Sequence, residues 1–323
     1  MFLTNDFQHF IDATPPAVLT ETAFGYPFFE QAFFLNPYDG WVSTFSSAAA
    51  EVDIYRTTDG GSHWTAVSGT GHTASAGGVT YFQFLSPTSG YLDTLQPTGP
   101  VASLSASSDG GASWKPVSSS NALQTSSLPL GRATFLDSNQ AIVVRDGLAC
   151  TVGTPGSGVW TSSDRGVSWI PVSLPAPFTP KNDSVACPAI PVVSPNGIIM
   201  PTAFVTSDST AQIGFLVSTS GGDHWTILAD SAVTLEASPV PQGAVAPDGS
   251  LWVMGELNSG PYSVAISNDA GKHWSDLQPQ GLPSGGAVHA VLPFNSQRAW
   301  VVADQGPNVL LYTTSDGGKT FSQ

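Results

Sequence analysis

Thr57-Thr58-Asp59-Gly60-Gly61-Ser62-His63-Trp64 is the stretch that decides the fold, because it comes back. The later copies are Ser107-Ser108-Asp109-Gly110-Gly111-Ala112-Ser113-Trp114 and Ser162-Ser163-Asp164-Arg165-Gly166-Val167-Ser168-Trp169, then Ser218-Thr219-Ser220-Gly221-Gly222-Asp223-His224-Trp225. Two more follow, Ser267-Asn268-Asp269-Ala270-Gly271-Lys272-His273-Trp274 and Thr314-Ser315-Asp316-Gly317-Gly318-Lys319-Thr320-Phe321. The common pattern is [ST]-x-D-x-G-x-x-W, with Ser220 in one aspartate slot and Phe321 in one tryptophan slot. The copies are spaced by roughly 50 residues, a period that belongs to propellers and solenoids. Asp and Ser/Thr side chains close tight turns on nearby backbone N–H groups. The glycine two places after the Asp slot supplies a positive φ. The tryptophan opens the next strand with a large apolar anchor.

Strand-like residues precede each copy, such as Asp53-Ile54-Tyr55-Arg56 and Val309-Leu310-Leu311-Tyr312, so each copy reads as a hairpin turn. A second repeat lies ahead of each hairpin: an apolar strand, a turn of Asn, Asp, Ser or Pro, and another strand. Its first copy is Ala32-Phe33-Phe34-Leu35-Asn36-Pro37-Tyr38-Asp39-Gly40-Trp41-Val42. Four strands per repeat is the blade of a β-propeller. The expected fold is all-β: six four-stranded antiparallel blades in one domain, at 17–70, 71–120, 121–178, 179–232, 233–280 and 281–323. Residues 1–16 look like the stretch that follows a box elsewhere, and the last box has almost no strand after it. The amino-terminal segment is therefore expected to complete the last blade, which would remove a sheet edge. A seventh, degenerate blade is the alternative count, and an open solenoid the rival architecture.

The repeated turn resembles the Asp-box, or BNR, repeat of sialidases, sortilin-type receptors, tandem-repeat xyloglucanases and photosystem II assembly-factor propellers. The resemblance implies that Asp59, Asp109, Asp164, Ser220, Asp269 and Asp316 are structural corners on the face away from the active site. It implies no activity. The sialidase site needs three arginines, a Tyr–Glu pair and an aspartic acid, and the early Arg-Ile-Pro motif is absent from this sequence. Arg298 sits in a first turn, on the box face, which leaves Arg132 and Arg145 for the opposite mouth.

Composition excludes several function classes. The net charge is −15, with nine Lys plus Arg. That argues against nucleic acid or an anionic membrane, which select basic patches. No apolar run is long enough to span a bilayer. Gly (33) and Pro (26) stay below the level of disordered chains. Few lysines, many Ser and Thr, and one cysteine pair read as an extracellular or cell-surface protein whose leader is not part of this sequence. The amino terminus itself has no basic and apolar signal regions. Cys150 and Cys187 fall in neighbouring long loops and are expected to form a disulfide in an oxidising compartment.

The loops opposite the boxes are where chemistry is expected. Glu30 and Glu256 flank strands there and are the candidate catalytic carboxylates for glycoside hydrolysis. Gln31, Tyr81, Arg132, Arg145 and His289 are the candidate ligand-binding residues, a mixed aromatic and hydrogen-bonding set typical of ligand sites. No His-x-His or His-Glu-x-x-His spacing points to a metal, and no phosphate or dinucleotide loop points to a cofactor. These observations favour a monomeric, non-catalytic propeller that binds a protein or glycan through that face. A glycoside hydrolase or lyase using mouth carboxylates is the alternative.

Overall fold

The computed structural model describes residues 2–3, 11–15, 28–46, 51–67, 79–95, 103–117, 132–144, 158–175, 185–194, 197–205, 210–230, 235–236, 241–256, 262–283 and 287–323. The fold is a six-bladed β-propeller of antiparallel sheets, with no helix among the described residues. Blade one runs Phe28–Phe34, Gly40–Ser46, Glu51–Thr57 and Thr65–Val67, each strand paired to the next. Blades two, three and five repeat that order. By alternation, one set of each strand's side chains meets the neighbouring blade. The chain divides into two compact units, Met1–Ala141 with Ser162–Ile170 and Ile142–Thr161 with Pro171–Gln323.

Blade four departs from the scheme. Two short strands, Val185–Pro188 and Val192–Ser194, share one partner, Gly197–Val205. Pro188 and Pro191 bracket the break, where proline cannot donate to a ladder. The last sheet has three strands, Val288–Pro293, Ala299–Gln305 and Asn308–Thr314. Its fourth position holds only the bridge between Thr313 and Ser322. In the first unit, Phe2–Leu3 pairs with Ile11–Asp12, and the buried Ala13 carbonyl accepts the Trp64 indole N–H at 2.9 Å.

All six boxes form one hydrogen-bonded turn. The leading hydroxyl (Thr57, Ser107, Ser162, Ser218, Ser267 or Thr314) accepts the N–H of the conserved-slot glycine at 2.8 to 3.1 Å. In the five aspartate boxes it also donates to the carboxylate Oδ1 at 2.8 or 2.9 Å. That Oδ1 accepts the backbone N–H four residues on, in His63, Ser113, Ser168, His273 or Thr320. The side chain of the same residue reaches Oδ2 at 2.5 or 2.6 Å. Ser220 Oγ accepts the His224 N–H at 3.0 Å and shares a hydrogen bond with the Ser218 hydroxyl at 3.3 Å, but does not hold the His224 side chain. The residue before the slot glycine is left-handed as well: Gly60, Gly110, Gly221 and Gly317, but also Arg165 at φ 68° and Ala270 at φ 59°.

These donors hold the box carboxyls well below the usual range. Asp59 is lowered to about 2, first by the His63 N–H. Asp109, Asp269 and Asp316 are lowered to about 2, led by the side chains of Ser113, His273 and Thr320. Asp164 is lowered chiefly by the Ser168 hydroxyl. The box turn also bonds to the first turn of its own blade, as in Gly60 N–H to Tyr38 (3.0 Å) and Gly317 N–H to Gln297 (2.9 Å). Both turns therefore occupy one end of a blade, and Arg298 is there too, its N–H on Asn295.

Candidate functional site

The strand ends opposite the boxes carry the sequence-predicted candidates. Most of the loops beyond them, including 118–131 and 145–157, lie outside the described residues. Arg145 and Cys150 fall in that group. Glu30 stands at a β-bulge between Phe29 and Gln31, and Glu256 pairs with Tyr262; only their backbones are described.

Tyr81 and Arg132 do come together. The Arg132 guanidinium lies over the Tyr81 ring, 5.0 Å from its centroid. Tyr81 lies on the first strand of blade two (Val79–Phe84), and Arg132 begins the first strand of blade three (Arg132–Phe135). With Gln83 and Asp93 they line a shallow notch that opens to solvent. A guanidinium is suited to the oxygens of a carboxylate or a sulfate. The tyrosine beside it offers an apolar ring and a hydroxyl, the mixture that sugars select.

Asp93 is the residue that sequence reasoning missed. It is 6% exposed, on the second strand of blade two (Gly90–Leu95), and its Oδ2 accepts the Ala133 N–H at 3.1 Å. The signal available was a lone acid between Leu92 and Thr94 on an inner strand. Its carboxylate ties blade three to blade two below Arg132 and fixes where that strand begins.

Gln31 has a different job from the one expected. Its amide oxygen accepts the Phe82 N–H at 2.7 Å and its amide nitrogen donates to the Phe82 carbonyl at 3.0 Å. Gln83 does the same to Phe135, at 2.9 and 2.7 Å. Each glutamine acts as one more pair of ladder bonds, joining the first strand of one blade to the next. A half-buried amide with both ends used in this way holds the scaffold.

His289 lies in the second unit. A bulge between Val288 and Ala290 sets it off the ladder. Its Nε2 is 2.6 Å from Asp304 Oδ1. Cys187 is half-buried on Val185–Pro188, and no described cysteine is free. Among the described residues, no group of three or more His, Cys, Asp or Glu could hold a metal, and no helix is long and apolar enough to cross a membrane.

No family model matches the chain. A curated protein of Macrobdella decora named anhydrosialidase is 29% identical over 157 residues, which are 46% of this chain and 20% of that one. The chain thus spans about a fifth of that relative's length. Two solved propellers match almost the whole chain. YCF48 bound to D1 peptide superposes with a TM-score of 0.56 at 18% identity, over 92% of this chain and 80% of that one. A polysaccharide lyase, ulvan lyase bound to a glucuronate-containing saccharide, superposes with 0.54 at 10% identity, over 90% and 81%. At such identities the two structures speak for the fold alone. The sequence match corrects one expectation. The preference for a non-catalytic module is overturned, because the relative found by sequence is named for an enzyme.

Proposed function

We propose that this chain is a carbohydrate-active propeller that processes an acidic glycan, with the Tyr81–Arg132 notch as a subsite for the anionic sugar. The observation that carries this reading is the Arg132 guanidinium stacked on Tyr81 beside buried Asp93, at the strand ends away from the boxes. The sequence match to the anhydrosialidase supports a glycan over other anions. Were the reaction hydrolysis, Glu30 and Glu256 would be our candidate carboxylates.

The reading is tested by calorimetry with sialyl and uronate oligosaccharides against neutral ones. The wild type is expected to select the anionic set. Arg132→Ala should weaken it by roughly 10- to 100-fold, the worth of a charge-assisted hydrogen bond. Equal binding of neutral and acidic sugars, or an unaffected Arg132→Ala, would sink the subsite.

The compartment belongs to the same proposal. We place the protein outside the cell, with Cys150 bonded to Cys187. Unfolded without reductant, the chain should show no reactive thiol, and after reduction it should show two. Two thiols before reduction would remove the bond and with it the oxidising compartment. Completion of the last blade by residues 1–16 also stands as our proposal, motivated by that sheet's three strands.

A further inference from the structure

His289 and Asp304 form the most deliberately built titratable pair outside the notch. Two other His–Asp pairs give the comparison. His63–Asp59 and His273–Asp269 are four residues apart, inside a box turn, with histidine side chains 89% and 88% exposed. In each, the same aspartate also takes the histidine's backbone N–H, so the imidazole closes the turn. His289 and Asp304 are 15 residues apart on two strands and close no turn. A bulge sets His289 off the ladder, as another does Glu30 at the matching place of blade one, and bulges are common beside active sites.

Asp304 is held before it holds the histidine. Its N–H donates to the Ala287 carbonyl at 3.0 Å, and its Oδ2 accepts the Ala287 N–H at 3.1 Å. Its Oδ1 takes the proton on His289 Nε2. The neutral imidazole then carries its lone pair on Nδ1, which makes no hydrogen bond to a described residue. The His289 side chain is 46% exposed, at the blade end away from the box. A carboxylate that fixes the tautomer and leaves the other nitrogen open is the arrangement of a general base. Asp304 cannot itself serve as the acid, because His289, then Ala287, hold its carboxyl in the ionised form.

We propose that His289 Nδ1 is the base of an elimination on a uronate glycan, with Asp304 as its positioning residue. The inference rests on the acidic-glycan reading above and names its reaction. Nδ1 takes the proton from the carbon that bears the carboxylate. That C–H electron pair becomes a double bond to the adjacent ring carbon. The glycosidic C–O bond there breaks, its electrons leave on oxygen, and solvent water protonates the leaving hydroxyl. No oxidant, reductant or metal enters the balance. The step asks for one base held by its carboxylate, whereas hydrolysis would need a second carboxyl kept protonated.

The test uses the full chain and a panel of uronate polysaccharides, read by the ultraviolet absorbance of the unsaturated product and, separately, by new reducing ends. Unsaturation is expected in the wild type. His289→Gln should lower it by at least about 100-fold, the usual scale of a general base. Asp304→Asn should cause a smaller loss, and added imidazole should restore part of the rate of His289→Ala, which a purely structural role would not allow. New reducing ends without unsaturation, or unsaturation untouched by His289→Gln, would overturn the dyad and leave the acidic-glycan reading standing. No turnover of any acidic glycan would overturn both.

Discussion

Trp41→Ala is expected to lower the stability of the first unit by about 3–5 kcal/mol, the cost of emptying a large aromatic site in a packed core. Trp41 is fully buried on the second strand of blade one. Its ring stacks on Phe84 of blade two at 3.7 Å with 6° between planes. Its indole N–H donates to the Gly110 carbonyl at 2.9 Å, which binds the second box turn to the first blade. Arg56 covers its other side at 5.1 Å and pairs with Asp39 at 3.4 Å. One residue thus fixes strand, neighbouring blade and neighbouring turn together. Trp41→Phe keeps a ring on Phe84 and gives up the N–H bond, so it should cost clearly less. Urea unfolding followed by far-ultraviolet dichroism measures both, with the slope expected unchanged. If the two variants cost the same, or Trp41→Ala costs under about 1 kcal/mol, the account of blade one against blade two fails.

How much of this could be read from the sequence follows from what each contact needs. The boxes were legible because their turn uses particular atoms: a hydroxyl, a carboxylate and a residue that tolerates positive φ. The role of His63, Ser113, Ser168, His273 and Thr320 was less visible, since imidazole and hydroxyl look unalike in a pattern but donate to Oδ2 in the same way. Gln31 and Gln83 were not legible as blade ties. Their partners are the backbone groups of Phe82 and Phe135, which every residue type carries. The box tryptophans pack as anchors, and the indole N–H groups of Trp114, Trp225 and Trp274 find no partner among the described residues, a cost that their apolar packing must outweigh. Tyr81 and Arg132 were singled out from residue type and position alone; their stacking depends on the offset between two blades, which no local pattern encodes.

The notch and the dyad are also built by different means. Asp93 fixes the start of a neighbouring strand, so Arg132 is aimed by the packing of two blades. His289 is aimed within one blade, by a bulge and a carboxylate clamped on Ala287. Variants at Gln83 or Asp93 should therefore disturb anionic-sugar binding without altering the hydrogen bond of His289.

Acid is expected to unfold the protein through its boxes. Asp59, Asp109, Asp269 and Asp316 titrate at about 2 in the folded chain, against an ordinary value of 3.8. A carboxyl with a lowered folded pKa stabilises the fold above its unfolded value and loses that contribution as pH falls through the folded one. Stability should thus be flat near neutrality and fall between about pH 4 and pH 2, as these four turns lose their charged acceptor over the same window. Ser220 gives the control. Its hydroxyl reaches the His224 N–H but cannot also hold the His224 side chain as a carboxylate does in the sister boxes. Ser220→Asp should raise the neutral-pH midpoint by about 0.5–1 kcal/mol, as one more charge-assisted turn closure, and steepen the acid limb. Thermal melts of both proteins across that pH range decide it. A gain that persists undiminished at pH 2 would mean that the carboxylate's charge is not what holds the turn.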